Sequence, residues 1–177
     1  MRTATVNLPT VLTVGRIALI PVFVILTPER PVLGVCFFLL AAATDFFDGY
    51  LARRTGQVTK LGIILDPIAD KLLVIAALVL LVDMIRISSW VAIVIILREF
   101  IVTTLRFVAL SKGIVMPAEQ SGKAKTVLQM TAIALLLLPG GLAGIDFYDA
   151  GLVAIYVALT LAVVSGVKLT VSFWRQI

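Results

Sequence analysis

Apolar residues run along this chain in long, nearly unbroken stretches separated by short polar connections. A helix needs roughly 20 apolar residues to cross the hydrocarbon core of a bilayer. Six stretches approach or reach that length: Pro9–Leu26, Val32–Leu51, Leu61–Val82, Ser89–Leu110, Thr126–Leu138 and Phe147–Trp174. The fifth is short and can extend back toward Lys123. Pro28 and Pro31, Ser88 and Ser89, and Pro139-Gly140-Gly141 punctuate the connections, as turn-forming residues do. Gly140 and Gly144 have the spacing of a helix-pairing motif, but they follow Pro139 in a connection and are not read as one. After the first stretch the chain reads Thr27-Pro28-Glu29-Arg30. No small-residue cleavage site follows, so that stretch is expected to remain as a span. The pattern predicts an all-α integral membrane protein with six transmembrane helices in a single domain over residues 1–177.

Composition supports the same class. Hydrophobic residues make up 61% of the chain and charged residues 14%, against about 25% charged in an ordinary soluble domain. The net charge of +5 would suggest nucleic acid in a soluble protein. Here basic residues at span ends explain it, and no nucleic-acid partner is expected. One group of connections and ends carries Arg2, Arg53, Arg54, Lys60, Lys112, Lys123, Lys125 and Arg175. The other holds only Arg30 and Arg86, beside Glu29, Asp83, Asp146 and Asp149. The positive-inside rule therefore places both termini in the cytoplasm. The chain has no histidine and a single cysteine, Cys36. Imidazole chemistry, disulfide frameworks and cysteine-based zinc clusters are excluded.

Against that apolar background, four carboxylates stand out. The second span ends in Asp45-Phe46-Phe47-Asp48-Gly49-Tyr50-Leu51-Ala52-Arg53, and the third contains Gly62, Asp66 and Asp70. Each intramembrane acid costs about 2.5–3.5 kcal/mol at mid-bilayer and less near an interface, so something must compensate. Asp45 and Asp48 are three apart, and Asp66 and Asp70 four apart, so each pair shares a helix face. The second span descends toward the cytoplasm and the third rises from it, which puts both pairs at similar depth. Gly49, Ala52, Gly62 and Ala69 permit close approach of helices or ligand. Four carboxylates without histidine or thiol make a hard-oxygen site suited to Mg²⁺ or Mn²⁺. Such a set can hold two ions about 3.5–4 Å apart, an arrangement used in phosphoryl displacement. The competing explanation is an interhelical network in which the acids pair with Arg53, Lys71 or Arg98.

The string Asp45-x2-Asp48-Gly49-x2-Ala52-Arg53-x8-Gly62-x3-Asp66-x3-Asp70 resembles the signature of the CDP-alcohol phosphotransferases, with every fixed position present. The resemblance implies a six-helix membrane bundle, usually dimeric, with a polar cavity open to the cytoplasm. It implies that Asp45, Asp48, Asp66 and Asp70 hold two metal ions and that Asp70 also serves as general base. Gly49, Ala52 and Arg53 would line the CDP part of the lipid donor, with Thr44 beside them. Further patterns resemble one branch, the bacterial phosphatidylglycerophosphate synthases. These are Asn7-Leu8-Pro9-Thr10-Val11-Leu12-Thr13-x2-Arg16, Arg98-Glu99-x6-Arg106, and Gly122-Lys123-x-Lys125-Thr126-x2-Gln129. The last span adds nothing that discriminates between branches. The implied donor is CDP-diacylglycerol, and the implied location is the bacterial inner membrane.

The cations narrow the acceptor. Arg98 lies inside the fourth span, Arg106 near its cytoplasmic end, and Lys123 and Lys125 begin the fifth. Together they suit a dianionic phosphate, with arginine offering bidentate recognition. That favours sn-glycerol 3-phosphate over neutral head alcohols, with inositol phosphate as the competing anionic acceptor. Each cation also has a plainer role: Arg98 paired with Glu99 or an acid of the cluster, Arg106 snorkelling to headgroups, and the lysines anchoring a span. Arg16 either contacts lipid phosphate or pairs with the acids. A divalent-cation or proton transporter is the remaining alternative. The outer halves of the spans carry too few ionisable residues for a continuous polar path.

Overall fold

The computed structural model describes residues 8–55, 60–112, 121–142 and 144–175; for 8–12, 45–55, 60–67, 70, 121–124, 142 and 145 it describes the backbone alone. Six helices account for nearly all of it: α1 (Leu8–Leu26), α2 (Pro31–Thr55), α3 (Lys60–Asp83), α4 (Ser89–Ser111), α5 (Ser121–Leu137) and α6 (Phe147–Trp174). Between α5 and α6 lies a two-residue antiparallel pair, β1 (Gly141–Leu142) and β2 (Ile145–Asp146), with Gly141 opposite Asp146. Every predicted span falls on one of these helices. The differences lie at polar ends. α2 continues past Leu51 to Thr55, and α5 extends back past Thr126 and Lys123, the direction expected for its short apolar run, to begin at Ser121. Apolar length measures what hydrocarbon accepts, whereas the helix persists wherever its own backbone hydrogen bonds are better kept than broken.

Two compact units make up the chain: Met1–Leu80 with Leu137–Pro139, and Leu81–Leu136 with Gly140–Ile177. In the first, α1 and α2 pack as a hairpin. Their turn is closed by backbone bonds from Thr27 N to Phe23 O and from Arg30 N to Leu26 O, 3.1 and 2.8 Å. The Thr27 hydroxyl also donates to Phe23 O, at 2.5 Å. Gly34 makes this turn possible, because a Cβ there would collide with the Thr27 side chain. Phe23 and Phe38 then meet across the hairpin with ring centroids 5.8 Å apart. Both rings are buried, as are Val35 and Ala41.

The second unit follows its own contacts. Trp90 lies 6.0 Å from Tyr156, Arg98 bonds to Ala162 and Ser165, and Val102 sits by Gly166. Numbers rise together on both helices, so α4 and α6 run parallel. α5 returns between those directions, since Lys125 reaches Glu99 while Leu136 lies against Gly151. A Cβ at Gly151 would come within 2.8 Å of Leu136 Cγ and 3.0 Å of its backbone nitrogen. Only glycine lets α5 and α6 approach so closely there.

The connection into α6 shows why the Gly140 and Gly144 spacing is no pairing motif. Both have φ near +80° (81° and 82°), the region glycine enters without steric cost. They fold the tiny β-turn, and Phe147 N closes it onto Gly140 O at 3.0 Å. Asp146 then caps α6 by accepting from Tyr148 N at 2.8 Å, which satisfies one of the helix's first free amides.

Among the described residues, α6 is the helix long and apolar enough to cross a membrane by length and composition, with 28 residues and a window of mean hydropathy 2.2. Large apolar side chains nevertheless stand exposed on all six: Ile25 on α1, Leu40 on α2, Val79 on α3, Leu97 on α4, Val127 on α5 and Val153 on α6. Apolar surface spread this widely is not what water tolerates on a small monomer.

Gly151→Val is expected to lower stability by about 1–3 kcal/mol through overpacking against Leu136. A thermal melt of the purified protein in detergent would read it as a drop in Tm. An unchanged Tm would mean that α5 and α6 separate at this point without cost.

Candidate active site

The acid signature lies on two unbroken helical stretches. Asp45, Asp48, Gly49, Ala52 and Arg53 fall on α2, which stays helical to Thr55. Gly62, Asp66 and Asp70 fall on α3, which is helical from Lys60 onward. Continuous helix through both strings preserves the registers that put Asp45 with Asp48, and Asp66 with Asp70, on shared faces. The side chains of Asp45, Asp48, Ala52, Arg53, Asp66, Asp70 and Lys123 lie outside the described residues, as does the convergence expected of the acids. The register and the all-oxygen donor set fit a hard divalent ion. Thr44, just before the string, is half-buried, and its hydroxyl donates to Ala41 O at 2.8 Å. Its oxygen lone pairs remain able to accept from a ligand.

Two cations of the second unit, Arg98 and Lys125, are described in detail. Arg98 spends three of its five N–H donors on neighbours. Nε donates to Ala162 O at 3.0 Å, one terminal nitrogen to Ser165 Oγ at 2.6 Å, and the other to Glu99 Oε1 at 2.7 Å. Lys125, only 4% exposed, donates from Nζ to the same Glu99 Oε1 at 2.9 Å. One carboxylate oxygen thus joins an α4 arginine to an α5 lysine, and the arginine continues to α6. A close approach by α6 makes this possible, since a Cβ on Gly166 would sit 3.3 Å from Arg98 Cγ.

Sequence reasoning placed Arg98 and Lys125 together among the acceptor-binding cations, and the structure brings these two together around Glu99. Arg98 takes up its plainer role as well, pairing with Glu99. Arg106 is exposed, two turns further along α4, and makes no ion pair among the described residues. Arg16 is 2% exposed on α1.

Three features were missed: Glu99 as a hub, the Ser165 hydroxyl and the Ala162 carbonyl. The pair Arg98-Glu99 did carry a signal. Adjacent residues on a helix do not face each other, yet a long arginine can bend back to its neighbour. Ser165-Gly166, a small polar pair in an otherwise apolar span, was the visible cue on α6. Its meaning depended on knowing which residue lies opposite.

Buried charges are tolerated when paired and hydrogen-bonded. Here Arg98 and Lys125 share one negative charge, which leaves the trio at a net +1. Such a group can hold three helices in register and still attract an anion.

Comparison with known proteins agrees with these features. The sequence profile of the CDP-alcohol phosphatidyltransferase family matches residues 6–165, and the chain belongs to that family. It is 40% identical to the CDP-diacylglycerol–glycerol-3-phosphate 3-phosphatidyltransferase of Bacillus subtilis (strain 168), with 97% of each chain covered. The protein of that name from Rickettsia bellii is 42% identical, over 90% of this chain and 91% of its own. That from Wigglesworthia glossinidia brevipalpis is 34% identical, over 97% of both.

Ser165→Ala should destabilise the α4–α6 contact by about 1 kcal/mol, as interhelical hydrogen bonds in membranes generally do. The readout is a lower Tm in detergent with the helical circular dichroism unchanged. No shift at all would show that Arg98 needs only Glu99 and the Ala162 carbonyl.

Proposed function

We propose that this chain transfers the phosphatidyl group of CDP-diacylglycerol to sn-glycerol 3-phosphate, releasing phosphatidylglycerol phosphate and CMP. The observation that carries this reading is similarity over nearly the whole length to relatives bearing that enzyme's name, with the eight-residue acid signature intact. The protein acts as a homodimer of six-span subunits in the bacterial inner membrane. Both termini and a polar cavity face the cytoplasm. Apolar faces on every helix and the asymmetry of basic residues support this topology.

Asp45, Asp48, Asp66 and Asp70 would hold two Mg²⁺ or Mn²⁺ ions. When bound, these ions neutralise the diphosphate and stabilise the departing CMP. Gly49, Ala52 and Arg53, with Thr44, receive the CDP portion. The small residues leave room for the nucleotide and Arg53 meets its phosphates. The acceptor's primary hydroxyl oxygen bonds to the phosphorus carrying diacylglycerol, and the bond from that phosphorus to the CMP oxygen breaks. Asp70 takes the hydroxyl proton. Arg98, Arg106, Lys123 and Lys125 supply positive charge for the acceptor's phosphate.

The deciding experiment is CMP release by the purified protein given CDP-diacylglycerol with either sn-glycerol 3-phosphate or inositol phosphate. Turnover with the glycerol ester alone is expected. Preference for inositol phosphate would move the protein to another acceptor. Asp70→Asn should fold normally and lose about 10²–10⁴-fold in turnover. Chelation should abolish CMP release, and added Mg²⁺ or Mn²⁺ should restore it. Arg106→Ala should raise the acceptor KM about tenfold while leaving the donor KM within about twofold. Equal changes in both would remove Arg106 from the acceptor pocket.

A further inference from the structure

We propose that Glu99 reads the secondary hydroxyl of the acceptor, and so helps to select a polyol phosphate. This rests on the acceptor assignment given above. Both cations bond to one oxygen of its carboxylate, Oε1. Among the described residues the second oxygen, Oε2, receives no hydrogen bond. The side chain keeps 28% exposure, so it is not sealed into the helix interface. An ionised carboxylate can only accept, and a bond from a hydroxyl would satisfy the oxygen its neighbours leave open. The cations bound to Oε1 make the surroundings net positive and favour an anion close by. One ligand class offers both a phosphate and a hydroxyl two or three bonds from it: a small phosphorylated polyol. In sn-glycerol 3-phosphate the primary hydroxyl is consumed by attack on phosphorus, and the phosphate belongs with the cations. The secondary hydroxyl is the group left for Glu99.

The test compares sn-glycerol 3-phosphate with 3-hydroxypropyl phosphate, which keeps the phosphate and the primary hydroxyl but lacks the secondary one. CMP release is followed with CDP-diacylglycerol and Mg²⁺ in detergent micelles. The wild-type protein should prefer the glycerol ester by about 10–100-fold in kcat/KM, the range expected for a hydrogen bond to a charged group. In Glu99→Gln that preference should shrink to about threefold or less, even if both acceptors are used more slowly. A purely structural role would slow both acceptors equally and leave their ratio intact. Should Glu99→Gln fail to give a cooperative melt, Glu99→Asp takes its place. It keeps the charge on Arg98 and Lys125 but withdraws the carboxylate by one methylene, and the same loss of preference is expected. Equal use of both acceptors by the wild-type protein overturns the proposal, as does a preference that survives in the folded variant. Absence of CMP release with sn-glycerol 3-phosphate itself would instead overturn the reaction on which the proposal stands.

Discussion

An arginine and a lysine share one glutamate oxygen in the midst of apolar helices, and the second unit is organised around that meeting. A lone cation in hydrocarbon is costly, and two side by side are worse. The carboxylate offsets both, and two further donors of Arg98 find Ser165 and the Ala162 carbonyl. The partners are spread over three helices, so the charges are satisfied only when α4, α5 and α6 sit in one register. Oil-like surfaces alone would not choose it, since lipid tails are as apolar as leucine. Glycine provides the complement. At Gly166 the missing side chain leaves room for Arg98, and at Gly151 it lets α6 approach the Leu136 backbone of α5.

The same economy of residue types shapes the chemistry. Without histidine and with a single cysteine, the proposed proton transfer and metal binding would fall to carboxylates, and the proposed anion recognition to arginine and lysine. The two kinds of charge occupy different stretches of the chain, acids on α2 and α3 and all four candidate acceptor cations on α4 and α5. A metal-dependent transfer between two phosphorylated partners needs both: acids to hold cations against a diphosphate, and bases to receive a phosphate monoester.

Much of this was legible in the residues. The apolar runs located all six helices, and α4 and α6 begin where Ser89 and Phe147 predicted. The acid spacing pointed to the family before any fold was known. Helix ends were less legible, because Arg53 and Lys123 continue helices that hydropathy alone would stop at Leu51 and Thr126. The role of Ser165 was hidden for a different reason. It lies 67 positions from Arg98, and no local pattern predicts such a meeting. Glu99 stood in plain view beside Arg98, but its bond to Lys125 required α5 to fold back along α4.

One consequence concerns the far end of the α4–α6 pair. Trp90, the second residue of α4, meets Tyr156, the tenth of α6. α6 therefore overshoots its neighbour by about two turns, or roughly 12 Å. Arg86 leans over the Tyr148 ring on that overshoot, 5.6 Å from its centre. The two aromatic levels form a graduated collar of the kind that settles at the water–lipid boundary. A thinner or thicker bilayer would exchange one ring for the other at that boundary, so hydrophobic mismatch would be absorbed by this rim and not by the charged interior.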